Sequence, residues 1–186
     1  MAGKVRVLGF AGSLRKGSYN RALLRAAMEL AGQDVELETF DLEGIPPFSE
    51  DREAEPPERV RQFKQRIRAA EAILIATPEY NYSIPGVLKN AIDWASRPYG
   101  DNAFDGKPVG IMGASIGALG TARAQYHLRQ SCVFLNMYPL NQPEVMVPLA
   151  ADKTDSAGRI TDQHTRDKIA QLLTALAAWA RRLARS

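Results

Sequence analysis

A chain of 186 residues that is 45% hydrophobic and 24% charged has the length and composition of one globular domain, which excludes intrinsic disorder, collagen and coiled coil. Its net charge is only +3, from 24 Lys and Arg against 21 Asp and Glu. A single cysteine, Cys132, excludes an internal disulfide, and two histidines, His127 and His164, leave no donor set for a metal centre.

The first strand is expected at Val5, Val7, Leu8 and Phe10, ending in Ala11-Gly12-Ser13. This apolar stretch is too short for a signal peptide, so the N-terminus reads as that of a mature chain. A helix follows from about Asn20, with Leu23, Leu24, Ala27, Met28 and Ala31 on one face. Val35, Leu37, Thr39 and Phe40 give a second strand. The loop broken by Pro46, Pro47, Pro56 and Pro57 is too long for a simple connection and is a candidate wall of an active site. Val60, Phe63, Ile67 and Ala70 recur at helical spacing. The unbroken apolar run at residues 72–76 is that of a parallel strand covered on both faces.

Another helix begins after Pro85 and carries Val87, Leu88, Ala91, Ile92 and Ala95. Val109, Gly110, Ile111 and Met112 form a strand, and a helix runs from about Leu119 toward Leu135. A last strand lies within residues 137–147. The final helix displays Ile169, Leu172, Leu173, Leu176, Ala180 and Leu183. Its most apolar stretch, 172–180, falls short of the roughly 20 residues that span a bilayer. Arg59, Arg61, Lys64, Arg66 and Arg68, like Arg181, Arg182 and Arg185, suit solvated outer faces of helices better than a nucleic-acid footprint. Five strands alternating with five helices predict an α/β fold, a doubly wound parallel sheet in which residues 1–186 make one domain.

Ligands on such a sheet bind beyond the carboxyl ends of the strands. Three polar, glycine-bearing segments fall there. Gly12-Ser13-Leu14-Arg15-Lys16-Gly17-Ser18-Tyr19-Asn20 leads into a helix N-terminus, where free N–H groups and the positive end of the dipole attract an anion. It lacks the Gly-Lys-Ser/Thr of a P-loop and the Gly-x-Gly-x-x-Gly fingerprint, and suits a terminal monophosphate better than a pyrophosphate. Ser18 or Asn20 could equally be an ordinary helix cap.

In residues 77–86, Pro78, Glu79, Tyr80, Asn81 and Tyr82 place two aromatics between prolines, suited to a planar ligand. Lys89 and Asp93 read as a solvated pair at i,i+4. Gly113-Ala114-Ser115-Ile116-Gly117 offers small residues for close approach. It also matches the Gly-x-Ser-x-Gly elbow of serine hydrolases, for which Ser115, Asp162 and His164 would be the triad. That alternative leaves the other two segments without a role. His127 reads as half-buried packing and Cys132 as a small core residue.

Together, Gly12-Ser-Leu-Arg-x-x-Ser-x-Asn20, the run from Pro78 to Trp94 and Ser115-x-Gly-x-x-Gly120 resemble the NADPH-dependent FMN reductases. That flavodoxin-like family includes quinone, chromate and azo-dye reductases. The resemblance implies FMN as cofactor and NADPH or NADH as co-substrate. It implies that Ser13, Arg15, Ser18 and Asn20, with Tyr19 beside them, hold the phosphate. Residues 78–82 would then line the isoalloxazine, with Ser115 and Gly117 on its other side.

Hydride would pass from a nicotinamide to the flavin and two electrons on to a quinone, azo dye, nitroaromatic, chromate or free flavin. No catalytic side chain is then required. A homodimer or homotetramer is expected, assembled through the helix after Pro85 with Trp94, and a cytoplasmic location. A non-enzymatic electron carrier of the flavodoxin kind is the alternative, against which the mildly basic charge counts.

Overall fold

A computed structural model describes residues 3–185. Its strands are β1 (Val5–Ala11), β2 (Val35–Phe40), β3 (Ala72–Ala76), β4 (Pro108–Ala114), β5 (Tyr138–Pro139) and β6 (Val145–Val147). The helices are α1 (Tyr19–Leu30), α2 (Glu58–Ala69), α3 (Gly86–Ala95), α4 (Ala122–Phe134) and α5 (Gln163–Leu183). All strand pairs are parallel, in the order β2-β1-β3-β4-β5, with β6 also on β4. This is the flavodoxin-like order, with its switch point between β1 and β3.

Strand alternation sorts the core into two layers. Val7, Ala72, Leu74 and Ala76 pack with α1 and α5, alongside Leu23, Leu172 and Leu176. Leu8, Phe10, Ile73 and Ile75 point the other way and pack with Phe63, Ile67, Leu88 and Leu128 of α2, α3 and α4. β3 and β4 are buried along their whole length, which explains why they read as continuous apolar runs.

Several details depart from the sequence-based expectations. The last strand is divided: β5 and β6 flank residues 140–144, where Pro143 has no N–H to donate to a ladder. α1 turns Met28 to solvent, and Ala31 is its cap. α4 starts at Ala122, because Gly120 with φ +61° bends the chain before it. At its other end, Asn136 takes the left-handed φ of +52° that stops a helix.

The proline-rich loop at 46–57 lies against α3. Trp94 Nε1 and Asn90 Nδ2 both donate to Pro46 O, at 2.8 and 2.9 Å, and Asn90 Oδ1 accepts from Phe48 N. Trp94 is therefore 1% exposed inside its own chain, with the Phe48 ring edge-on at 5.0 Å, and is no part of an exposed interface.

Candidate functional site

The loops after β1, β3 and β4 enclose a cleft of about 530 Å³, within the range of about 300–1,000 Å³ usual for small-molecule sites. Of the residues singled out in sequence, all but Asn81, Tyr82 and Gly117 line it, joined by Ala114 and Ile116. The proline-rich loop contributes nothing to this cleft. Phe48 and Glu50 line a separate groove with Ile92, Arg97 and Phe134.

The first loop carries hydrogen-bond donors that no described residue takes up. Among the described residues, the backbone N–H groups from Ser13 to Gly17 have no hydrogen-bond partner, and neither does the Ser13 hydroxyl. They lie in the loop that leads into the N-terminus of α1, with the exposed Arg15 guanidinium 5.2 Å from the Tyr19 ring. Ser18 caps the helix: its Oγ accepts from Asn20 N at 3.2 Å and Arg21 N at 3.4 Å, leaving the hydroxyl proton free to donate.

Asn20 has a different task from the one expected. At 2% exposure, its Nδ2 donates to Ala114 O and its Oδ1 accepts from Ala114 N, both at 2.9 Å. It is a strut between the first loop and the end of β4. Arg21, not foreseen, braces the same loop through Ser13 O at 3.0 Å while pairing with Asp41 at 2.8 Å. Gly12 has no room for a Cβ, which would stand 2.9 Å from Pro85 Cγ, so its close approach is to α3.

The second loop carries a two-residue hairpin. Tyr80 and Ser83 exchange both backbone bonds, at 2.9 and 3.0 Å, around Asn81 (φ +50°) and Tyr82 (φ +64°). This is a primed-type turn that glycine usually fills, and left-handed backbone costs other residues about 1–2 kcal/mol each. Glu79 does not face the cleft with its charge. Its Oε1 takes Arg123 Nε at 2.5 Å, and Oε2 takes the N–H groups of Arg123 and Ala124 at 3.1 and 3.2 Å, capping α4 from a distant loop. His127 is exposed, not packed, and meets Ser83 Oγ through Nδ1 at 3.0 Å. Neither Arg123 nor His127 could be found from a motif, since each contacts the hairpin from about forty positions away.

The third loop is tied in as tightly. A Cβ on Gly113 would fall 2.1 Å from Thr121 Oγ1 and 2.3 Å from Thr77 O. Ser115 Oγ accepts from Gly117 N at 3.2 Å, while Ser115 N donates to Val147 O at the end of β6 and Ser115 O accepts from Ala150 N just beyond it, both at 3.0 Å. Among the described residues no histidine bonds Ser115. Asp162 caps α5, accepting from Thr165 N at 2.8 Å and Thr165 Oγ1 at 2.6 Å, and those bonds hold its carboxyl below the usual range. The hydrolase triad is thus not assembled. Burial lifts the Cys132 thiol to about 11, so it is inert in the core. Among the described residues no three His, Cys, Asp or Glu are grouped to hold a metal, and no helix is long and apolar enough to cross a membrane.

A parallel sheet of this order, with a donor-rich helix N-terminus beside an aromatic hairpin, defines a flavodoxin-like α/β protein. A profile of the NADPH-dependent FMN reductases matches residues 5–152. The chain is 54% identical over 184 residues to an NAD(P)H-dependent FMN reductase of Pseudomonas aeruginosa, covering 98% of this chain and 99% of the relative. It is 45% identical over 181 residues to a 2-hydroxy-1,4-benzoquinone reductase of a Burkholderia species, covering 97% and 98%. Among solved structures, the flavoenzyme NAD(P)H:(acceptor) oxidoreductase FerB of Paracoccus denitrificans superimposes with a TM-score of 0.87 at 35% identity, over 96% of this chain and 98% of that one. The chain belongs to the NADPH-dependent FMN reductase family, and is an oxidoreductase that uses FMN with NAD(P)H as electron donor.

Proposed function

We propose that the cleft binds FMN with its phosphate at the N-terminus of α1 and its ring between residues 78–82 and the Ser115 loop, and that a quinone is the electron acceptor. The observation that carries this reading is the run of unpaired N–H groups from Ser13 to Gly17 in the loop whose Ser13, with its free hydroxyl, and Arg15 line the cleft. These donors fit a dianionic phosphate, while Tyr80 and Ile116 offer flat and apolar surface on the other walls of the cleft. FMN supplies the hydride acceptance and two-electron delivery. The protein's residues hold it: the first loop neutralises the phosphate, the Asn20 strut sets its distance from Ser115, and the exposed Tyr80 and Tyr82 leave one side of the cleft open to a flat co-substrate. A quinone fits that opening and matches the activity named for the Burkholderia relative.

The reading treats residues 1–186 as one domain working in the cytoplasm, without nucleic-acid or membrane partners. It assigns self-association to the outer face of α4, where Tyr126, Val133 and Phe134 share one side and the last two are 81% and 79% exposed. The test is to release bound flavin by heat, identify it, and follow NADPH oxidation with a quinone. FMN with quinone-dependent turnover supports the reading. FMN without quinone-dependent turnover refutes the quinone as acceptor.

A further inference from the structure

Asn81 and Tyr82 hold positive φ without being glycine, so their hairpin carries strain that its own two backbone bonds and contacts from outside must offset together. α4 supplies those contacts. Arg123 Nε donates to Glu79 Oε1 at 2.5 Å, and its guanidinium carbon stands 3.7 Å from the centre of the Tyr82 ring. His127, four residues on and so on the same helix face, meets Ser83 Oγ at 3.0 Å. Arg123 itself does not line the cleft, whereas Pro78, Glu79 and Tyr80 do.

We propose that Arg123 is a positioning residue for the flavin ring: through the Glu79 carboxylate and the Tyr82 face it fixes the backbone of residues 78–82 that walls the cleft. This rests on the assignment of that wall to the isoalloxazine. The two oxygens of Glu79 divide the work. Without the guanidinium, Oε2 still caps α4 through the backbone N–H groups of residues 123 and 124, so the helix stays in place while the hairpin is released. The hairpin belongs to the ring end of the cleft and the phosphate donors to the other loop. Loss of Arg123 therefore weakens FMN and riboflavin by the same factor. Loss of Arg15 acts on FMN alone.

The experiment titrates apo-protein with FMN and with riboflavin by flavin fluorescence, for the wild type, Arg123→Ala and Arg123→Lys. Hydrogen exchange of residues 77–84 is measured with and without FMN. Arg123→Ala is expected to weaken both flavins about tenfold and to speed exchange of the hairpin in the apo-protein. Arg123→Lys is expected to fall between, since an ammonium faces Glu79 but cannot spread over the tyrosine. FMN should slow exchange of residues 77–84 in the wild type. If it does not, the wall assignment and the proposal fall together. If it does, and Arg123→Ala binds both flavins normally or loses FMN alone, the wall stands and the positioning role is refuted. Should the alanine variant not fold, an Arg123→Lys protein that binds both flavins normally refutes it equally.

Discussion

Asn20→Ala removes a strut that holds both the backbone N–H and the C=O of one residue, Ala114. The substitution leaves Ala114 N and Ala114 O without their 2.9 Å partners in a place where residue 20 is 2% exposed. Each stripped backbone group costs about 1–3 kcal/mol, so the pair costs about 2–6 kcal/mol. For a domain of this size each kcal/mol moves the thermal midpoint by about 2–4 °C, so a mid-range loss of about 4 kcal/mol lowers it by about 8–16 °C. An ordinary surface change stays within about 0.5 kcal/mol.

Asn20→Asp adds a pH signature. Its carboxylate can accept from Ala114 N but sets the second oxygen against the Ala114 carbonyl, whereas the protonated acid restores a donor. Its folded-state pKa is therefore raised above the unfolded value of about 3.9. The variant's deficit is smallest below that value and grows as pH rises through the folded pKa. Melts of the apo-proteins at acid and neutral pH, followed by circular dichroism, read both effects. An Asn20→Ala protein that melts with the wild type yet loses FMN would make Asn20 a ligand and refute the strut.

Arg15→Ala should weaken FMN about ten- to a hundredfold, the size of a lost charge-assisted phosphate contact, with riboflavin unaffected and the effect shrinking at high salt; calorimetric titration of both flavins decides it. Ser115→Ala should remain an active reductase, and a serine-directed phosphonate should leave the wild type unlabelled; stoichiometric labelling at Ser115 would contradict both. Trp94→Ala should cost about 3–5 kcal/mol of stability without changing assembly, while Phe134→Glu should shift the particle toward monomer in light scattering over a dilution series. The opposite pattern would return the interface to α3.

What could be read in advance follows from how local the signal is. The run at residues 72–76 declares itself because both faces of β3 are covered, and period-two sorting of β1 does the same for Leu8 and Phe10. The three loops could be placed because each follows a buried strand. Residue type alone did not separate ligand from scaffold within them. Ser18, Asn20 and Glu79 are polar for reasons met by protein groups, and the partners of Asn20 and Glu79 lie 94 and 44 positions away. Trp94 beside Lys89 and Asp93 has the look of an interface. Its indole N–H is answered by Pro46, across a loop whose path no periodicity encodes. The last strand is divided where Asn141, Gln142, Pro143 and Glu144 part its two apolar ends, each of which makes a short ladder on β4.

The Gly113 contact also sets where this protein can be altered. Thr77 O and Thr121 Oγ1 would lie 2.3 and 2.1 Å from a Cβ there, so strand ends and helix start are separated by little more than a hydrogen atom. Any side chain at 113 would push apart all that borders the cleft on that side. Ile116, Leu119 and Leu149 are exposed, and a Cβ at Gly117 meets only Ser115 Oγ at 3.6 Å. A mutant library aimed at new electron acceptors has its freedom at those outer positions, and it should hold Gly12, Gly113 and Gly120 fixed.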